Sequence, residues 1–310
     1  MQIGVGVLTA IGNTPLVDLV RVVPPGAARV VAKLESANPT GSMKDRMALA
    51  LVERAAADGR LSPGGTIVEY TAGTTGVSLA LVCAALGYRA HFVFSDAFSD
   101  EKRFTMRAYG ADITDVASDN KRITESLIKA MIAKAGEISR GPGHWWCDQL
   151  ANADGEIGYH SLGHELWRQA GERVDVFVQS VSTAHSIHGT AHALRFHHPH
   201  LRVVAVEPTE SAVLSGQPSG AHQIEGIGIG FIPPLWKRDQ VDDIETVTTA
   251  EAREMARRLA REEGIFAGVS TGANVVAALR LAGRLGPQAT VATIVVDSGL
   301  RYVSRDVFRY

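Results

Sequence analysis

Apolar segments typical of β-strands alternate with helical patterns along almost the whole chain. Segments such as Thr290–Val296 are apolar without strict alternation, which is typical of strands that are covered on both faces. Parallel neighbouring strands need a crossover connection, and a helix between them supplies it. The pattern therefore predicts an α/β fold with largely parallel sheets flanked by helices.

The predicted strands are Arg29–Leu34, Thr66–Tyr70, Ala90–Phe94, Asp112–Val116, Val174–Val181, Val203–Val206 and Thr290–Val296. The predicted helices are Asp45–Asp58, Val77–Leu86, Asp100–Tyr109, Glu125–Ile138, Tyr159–Gln169, Ala250–Glu263 and Ala273–Leu285. Ligands of open parallel sheets bind beyond the carboxyl ends of the strands. We therefore expect the chemistry near residues 71–76, 182–190 and 297–299.

Composition excludes several classes of protein. Lys plus Arg (31) nearly balances Asp plus Glu (33), and the net charge of -2 argues against a general nucleic-acid binder. Two cysteines cannot form a disulfide framework, which indicates a reducing, cytoplasmic compartment. Met1–Leu8 lacks the features of a signal peptide, and the uncharged stretch Tyr70–Tyr88 has too few apolar turns to span a bilayer. We expect a cytoplasmic protein without a membrane partner, and its 310 residues suggest about two domains.

A lysine stands at the start of a predicted helix, directly after a turn that contains Pro and Gly. Residues 38–46 read Asn-Pro-Thr-Gly-Ser-Met-Lys-Asp-Arg, and the lysine is Lys44. The positive end of a helix dipole disfavours an ammonium group, so this position favours a reactive, neutral amine. Taken alone, a solvated lysine is the commoner interpretation of such a position.

A second segment places small residues between a strand and a helix. Residues 69–76 read Glu-Tyr-Thr-Ala-Gly-Thr-Thr-Gly. Such a loop offers unpaired backbone N–H groups and hydroxyls to an anion, which could be a carboxylate or a phosphate.

These two segments belong to a longer series of blocks that runs from about residue 9 to the C-terminus. The blocks are residues 11–16, 38–46, 71–76, 222–233, 263–273 and 297–302, with Gln149 and Asn152 between them. In content and order they resemble the cysteine synthase and cystathionine β-synthase family of pyridoxal-phosphate (PLP) enzymes. The resemblance implies a tryptophan synthase β-like fold, in which PLP lies in a cleft between two α/β lobes. It also implies a smaller mobile lobe over residues 40–146, a larger lobe over residues 1–39 plus 147–310, and a homodimer.

The resemblance implies a role for individual residues. Lys44 corresponds to the Schiff-base lysine that also moves the Cα proton. Ser270 corresponds to the residue that hydrogen-bonds the pyridine nitrogen, where a hydroxyl favours β-elimination over transamination because it does not enforce a protonated ring. The other implied cofactor contacts are Thr74, Ser182, Thr183, Ala184, His185, Ser186 and Gly226, and the implied substrate contacts are Thr71, Ala72, Gly73, Thr75 and Gln149.

The phosphate-binding loop departs from the family pattern. The family has Gly-Thr-Gly-Gly-Thr, whereas residues 182–186 read Ser-Thr-Ala-His-Ser. Alanine and histidine tolerate positive φ poorly and keep a ligand farther from the backbone. Thr183 and Ser186 retain hydroxyls, and His185 and His188 are candidates for additional donors.

The substrate loop departs from the family pattern as well. Thr74 stands where the family usually has an asparagine, and a hydroxyl lacks the paired donor and acceptor of an amide. Ala72 replaces a hydroxyl residue, which removes one possible donor to a carboxylate. These changes predict either an altered substrate or a weakened activity.

Two histidines and both cysteines are further candidates for functional residues. His188 and His192 lie four residues apart on a predicted helix, a spacing that can bind zinc. No carboxylate or cysteine accompanies them between Val181 and Pro199, so we predict no metal site. Cys83 and Cys147 are interpreted as buried, inert thiols.

The resemblance predicts PLP-dependent β-replacement on a small activated L-serine, such as O-acetylserine or O-phosphoserine, through an aminoacrylate intermediate. A small nucleophile, which is a thiol, sulfide or amine, completes the reaction. Thr74 and Ala72 leave open a β-elimination that releases pyruvate and ammonia, or a specialised step in amino-acid biosynthesis. The altered phosphate loop leaves open a catalytically weak homologue that acts as a binding partner.

Overall fold

The computed structural model describes residues 6–309. Residues 1–5 and 310 lie outside the described residues. They belong to the predicted larger lobe, and residues 1–5 are also part of the segment Met1–Leu8. The strands are β1 Leu16–Leu19, β2 Arg29–Leu34, β3 Thr66–Tyr70, β4 Arg89–Ser95, β5 Asp112–Val116, β6 His144–Trp146, β7 Val176–Ser180, β8 Arg202–Pro208, β9 Asp243–Val247 and β10 Thr290–Val295. The helices are α1 Lys44–Ala57, α2 Thr74–Leu86, α3 Asp100–Ala108, α4 Glu125–Ile138, α5 Asp154–Ile157, α6 His160–Gln169, α7 His185–His197, α8 Thr249–Arg258 and α9 Val269–Leu285.

The strands form two sheets. The small sheet has the order β5-β4-β3-β6, and all of its strands are parallel. The large sheet has the order β1-β2-β10-β7-β8-β9, in which β1 runs antiparallel to β2 and the remaining neighbours are parallel. The predicted α/β class with largely parallel sheets is therefore confirmed.

The large sheet is buried on both faces. In β7, Phe177 belongs to one apolar cluster, whereas Val176 and Val178 belong to the cluster on the opposite face. Successive side chains of a strand point to opposite faces, so both faces of β7 pack against helices and loops. This arrangement explains the continuous apolar runs in the sequence.

The seven predicted strands are present, and three further strands were missed. β1 and β9 are edge strands of the large sheet, and β6 has only three residues, all of them half-buried. Short or partly exposed strands do not carry the long apolar run that identifies a buried strand. Helix α7 was absent from the predicted helices, although His188 and His192 were expected on one.

Three chain segments meet at the carboxyl ends of the parallel strands. β3 leads into residues 71–73 and then α2, and β7 leads into residues 181–184 and then α7. After β10, Asp297 forms an antiparallel bridge with Ser42, two residues before Lys44. Across residues 6–309, none of the helices has the length and apolar character needed to cross a membrane.

Candidate active site

Lys44 is the first residue of α1, and its side chain is buried. The preceding turn is held in place by the hydrogen bond from Met43 N to Val296 O (3.0 Å). Lys44 Nζ hydrogen-bonds to Thr183 Oγ1 at 3.5 Å and to Met47 Sδ at 3.9 Å. Within the described chain no carboxylate forms an ion pair with this amine, and burial lowers its pKa to about 8. The amine is therefore neutral far more often than that of an exposed lysine.

A cavity of about 60 Å³ brings Lys44 together with several of the predicted site residues. The predicted residues that line it are Lys44, Thr71, Ala72, Thr74, Thr75, Gln149, Ser182 and Gly226. Its walls are otherwise largely apolar, and they include Phe98, Ile123 and Ile128 beside α3 and α4. Sequence reasoning missed this apolar wall, because nothing in an isolated isoleucine indicates that it faces a cleft.

The loop between β3 and α2 presents backbone donors to this cavity. Gly73 caps α2 with a φ of +109°, a conformation that L side chains rarely adopt. The Thr71 hydroxyl oxygen accepts from Gly73 N at 2.8 Å and from Gly76 N at 3.0 Å. Its own proton therefore remains for an acceptor outside the loop. The first N–H groups of α2 have no intrahelical partner and suit an anion.

Gln149 is fixed to the same loop by both ends of its amide. Thr75 Oγ1 donates to Gln149 Oε1 at 2.7 Å, and Gln149 Nε2 donates to Tyr70 O at 2.9 Å. Gln149 N donates to the buried Glu69 Oε2 at 2.9 Å, and Tyr70 N donates to Glu69 Oε1 at 3.0 Å. Burial raises the pKa of Glu69 to about 8. Sequence reasoning gave Glu69 no role, although a carboxylate within an apolar strand was a signal.

Residues 182–186 lie at the start of α7. Ala184 is the N-cap and takes a φ of +72°, so an alanine occupies the left-handed region at a cost of about 1 kcal/mol. The Ser186 hydroxyl accepts from Gln179 Nε2 at 2.6 Å, which leaves the Ser186 proton for another acceptor. The ring of His185 hydrogen-bonds to Thr183 Oγ1 and Asn152 O, and the ring of His188 accepts from Lys237 N.

Ser270 and Gly226 come from the large-sheet side of the molecule. Ser270 is buried in the first turn of α9, and Gly268 is the N-cap of this helix. The N–H of Gly268 donates to Asp297 O at 3.2 Å. Gly226 has a φ of +92°. Gly228 N donates to Val181 O at 3.2 Å, which holds this loop against the end of β7. Ser270 does not line the cavity that contains Lys44.

The comparisons with known proteins decide the family. A sequence profile described as "Pyridoxal-phosphate dependent enzyme" matches residues 7–297. This chain belongs to the pyridoxal-phosphate-dependent enzyme family. The predicted PLP cofactor is thereby confirmed, and the relatives described next confirm the predicted resemblance to cysteine synthases.

Relatives within this family cover nearly the whole chain. The cysteine synthase of Staphylococcus aureus (strain Mu50) is 41% identical over 302 residues, which are 97% of this chain and 96% of the relative. The crystal structure of a cysteine synthase from Entamoeba histolytica has a TM-score of 0.91 and 34% identity, and covers 100% of this chain and 92% of that chain. An O-acetylserine-dependent cystathionine β-synthase from Helicobacter pylori has a TM-score of 0.91 and 34% identity, with coverages of 99% and 100%.

The residues of this family member fit PLP. Lys44 offers a buried amine that forms no ion pair in the described chain, and the amine lies at the wall of the cavity. The N–H groups in the first turn of α7 have no intrahelical partner, and Ser186 adds a hydroxyl proton. Within residues 6–309 no group of three or more His, Cys, Asp or Glu side chains is arranged to hold a metal ion.

Proposed function

We propose that this chain catalyses PLP-dependent β-replacement on an activated L-serine, with O-acetylserine as the substrate and a small sulfur nucleophile. The relatives named cysteine synthase and the O-acetylserine-dependent relative support this substrate class. The observation that carries the proposal is the position of Lys44. Its buried amine, with a pKa of about 8, lines the same cavity as the donor-rich loop of residues 71–75.

Bound PLP supplies an electron sink that acidifies the Cα proton of an amino acid. Lys44 would hold the cofactor, and its amine would take the Cα proton and return it. Thr71 would donate its remaining hydroxyl proton to the substrate carboxylate, together with the backbone N–H groups of Ala72 and Thr75. The N–H of Gly73 is already bonded to Thr71 Oγ1, so Gly73 contributes the shape of the loop. Gln149 contributes the one amide proton that Tyr70 O does not accept.

The contacts to the cofactor itself divide between the two sheets. The residues that would hold the phosphate are Ser182, Thr183, Ala184, His185 and Ser186. His185 would offer its backbone N–H, because its ring is bonded elsewhere. Ser270 would hydrogen-bond the pyridine nitrogen without placing a carboxylate there. Gly226 and Thr74 line the cavity, where Gly226 would flank the cofactor ring and Thr74 would lie beside its phenolic oxygen and the substrate.

Residues 40–146 form the mobile lobe in this proposal. The four strands of the small sheet lie within residues 66–146, and the strands of the large sheet lie outside 40–146. A cavity of about 60 Å³ is far smaller than the roughly 300 Å³ or more of ordinary small-molecule sites. The lobes must therefore separate to admit cofactor and substrate, and their closure excludes water during the reaction.

The replacement of Lys44 tests the proposal. Purified protein should show the visible absorbance of bound PLP and should form cysteine from O-acetylserine and sulfide. Lys44→Ala should lose both, whereas Lys129→Ala, which removes a lysine that is exposed on α4, should retain both. Unchanged absorbance and turnover in Lys44→Ala would exclude the assignment.

A second candidate is β-elimination without replacement. The observation in its favour is that Thr74 and Ala72 line the cavity. Neither residue offers a substrate an amide, and Ala72 does not offer a hydroxyl. Pyruvate and ammonia would then be released whether or not sulfide is present. Quantitative conversion to cysteine in the presence of sulfide rejects this candidate.

A third candidate is a catalytically weak homologue that serves as a binding partner. The left-handed Ala184 in the phosphate loop favours it, because an alanine keeps a ligand farther from the backbone than a glycine does. Retention of PLP through gel filtration, together with turnover, rejects it.

The proposal also includes a cytoplasmic homodimer. Cys83 and Cys147 are both free and buried, which suits a reducing compartment. Sedimentation of the purified protein at several concentrations measures the oligomeric state, and a concentration-independent monomer contradicts the dimer. Fractionation of cells measures the compartment.

A further inference from the structure

A chain of buried hydrogen bonds leads from Lys44 to the backbone of residue 152. Lys44 Nζ lies 3.5 Å from Thr183 Oγ1, and Thr183 Oγ1 lies 2.9 Å from His185 Nδ1. His185 Nε2 lies 2.9 Å from Asn152 O. The relative exposures of Lys44, Thr183 and His185 are 7%, 3% and 1%, so water does not compete effectively for these bonds.

The carbonyl at the end of the chain determines the direction of every bond in it. Asn152 O can only accept, so His185 Nε2 must carry a proton. Burial lowers the pKa of His185 to about 3, and the ring is therefore neutral, with a bare Nδ1. Nδ1 consequently accepts the hydroxyl proton of Thr183. The Thr183 oxygen is left as an acceptor, and Lys44 Nζ donates to it.

The structure makes room for the imidazole ring. Helix α5 contains Gly155, and a Cβ at that position would lie 3.0 Å from His185 Nε2 and 3.1 Å from His185 Cδ2. The same Cβ would lie 2.9 Å from Met47 Cγ, so Met47 and the His185 ring together fill the space that Gly155 leaves. The ring is closely packed on this side, unlike the ring of a surface histidine.

We propose that His185 is a positioning residue, which holds the Thr183 hydroxyl as a hydrogen-bond acceptor for the Lys44 amine. The proposal rests on the proposed function in one respect, namely that Lys44 is the lysine that carries the cofactor. His185 touches neither substrate nor the reacting atoms through its ring and acts through Thr183. The direction of the chain also commits the Thr183 proton to His185, so Ser186 and the N–H groups of α7 supply the donors for the phosphate.

The first test measures how readily the Lys44 amine captures PLP at different pH values. An acceptor stabilises the ammonium form, so its loss lowers the pKa of the amine. We expect Thr183→Val and His185→Leu to move the midpoint of PLP capture down by about half a pH unit to one pH unit, which is the range of one buried hydrogen bond. Thr183→Ser and His185→Asn, which keep a hydroxyl and an acceptor, should lie close to the wild-type midpoint.

The double variant separates a connected chain from two independent effects. If the two residues act as one unit, Thr183→Val with His185→Leu should shift the midpoint no further than either change alone. Additive shifts, or wild-type midpoints in both single variants, overturn the proposal. Unfolding curves of the apo-proteins show which variants remain folded. If His185→Leu does not fold, Thr183→Val still tests the proposal.

A second measurement does not depend on PLP. Nitrogen-15 NMR of protein labelled at histidine reports which ring nitrogen carries the proton, and His185→Asn assigns the signal. We expect a neutral ring with its proton on Nε2 and no titration between about pH 5.5 and 8. A proton on Nδ1, or a charged ring, contradicts the inference even if the enzyme is fully active. If wild-type protein fails to bind PLP but shows this tautomer, the proposed function fails and the hydrogen-bond chain stands.

Discussion

The buried ammonium group of Lys102 donates to Glu225 Oε2 at 2.7 Å. Lys102 lies on α3, beside the small sheet, and Glu225 lies in the loop between two strands of the large sheet. Arg305 Nε donates to the other oxygen, Glu225 Oε1, at 2.8 Å. The stem of Lys102 also packs on Gly73, where a Cβ would lie only 2.4 Å from Lys102 Cδ. One ion pair thus connects the two sheets and the substrate loop.

The two ends of this pair should differ in their importance for stability. Glu225→Gln leaves Lys102 and Arg305 without their anion and should lower the free energy of unfolding by about 3 kcal/mol, as expected for a broken buried ion pair. Lys102→Met keeps the stem on Gly73, and Glu225 keeps Arg305, so the loss should be about 1 kcal/mol. Urea unfolding measures both values. A larger loss in Lys102→Met than in Glu225→Gln would contradict this account.

Gly73 should not tolerate a methyl group. Gly73→Ala meets both a φ of +109° and the Lys102 stem, so it should raise the KM for the amino-acid substrate and lower the free energy of unfolding by about 2–3 kcal/mol. Gly87 at the other end of α2 is a matched control, because its φ is +78° and no atom lies within 4 Å of a Cβ there. Gly87→Ala should cost about 1 kcal/mol and leave KM unchanged. Steady-state kinetics and urea unfolding of both variants test the pair, and equal effects on KM would refute the steric argument.

The central strands and the Lys44 turn could be predicted because their signals are local. A strand buried on both faces must be apolar along its length, and the segment that contains Lys44, residues 38–46, is a run of nine adjacent residues. The edge strands β1 and β9 escaped because partial exposure mixes polar with apolar residues. Boundaries at helix starts shifted for a related reason, since α2 begins at Thr74 within the small-residue loop.

Contacts between residues that are distant in the sequence could not be predicted from it. Lys102 and Glu225 are separated by 123 positions, and neither stands in a pattern that indicates a partner. His185 was recognised as a departure in the phosphate loop, but the bonds of its ring depend on Asn152 O and on the space at Gly155. Such roles are set by tertiary packing and not by residue type.

Glu69 should make the protein less stable as the pH rises. Burial raises its pKa from 4.5 to about 8, and the carboxyl group therefore keeps its proton in the folded protein over a range in which the unfolded chain releases it. The stability that it contributes is full below pH 4.5 and is lost as the pH rises through about 8. Glu69→Gln cannot titrate, so its unfolding free energy should vary less over this range. Urea unfolding at several pH values compares the two slopes, and equal slopes would show that Glu69 is not their source.

His188 should make the protein sensitive to acid. Its Nε2 accepts from Lys237 N at 3.1 Å, and burial lowers the pKa of His188 from 6.5 to about 4. Glu156 and Asp239 oppose this shift, and the positive charges of Lys237 and Arg195 increase it. Since the folded pKa is depressed, the contribution of His188 is present above pH 6.5 and is lost as the pH falls towards about 4.

A glutamine at this position isolates that effect. Its amide oxygen can accept from Lys237 N and does not take up a proton, so His188→Gln should lose less stability than wild type between pH 7 and about pH 5. The expected difference is on the order of 1 kcal/mol, because pH 5 lies between the unfolded pKa of 6.5 and the folded pKa of about 4, so only part of the penalty is expressed there. Thermal unfolding at the two pH values measures it, with His200→Gln as the control for an exposed histidine. The same acid loss in His188→Gln as in wild type would mean that another group takes up the proton.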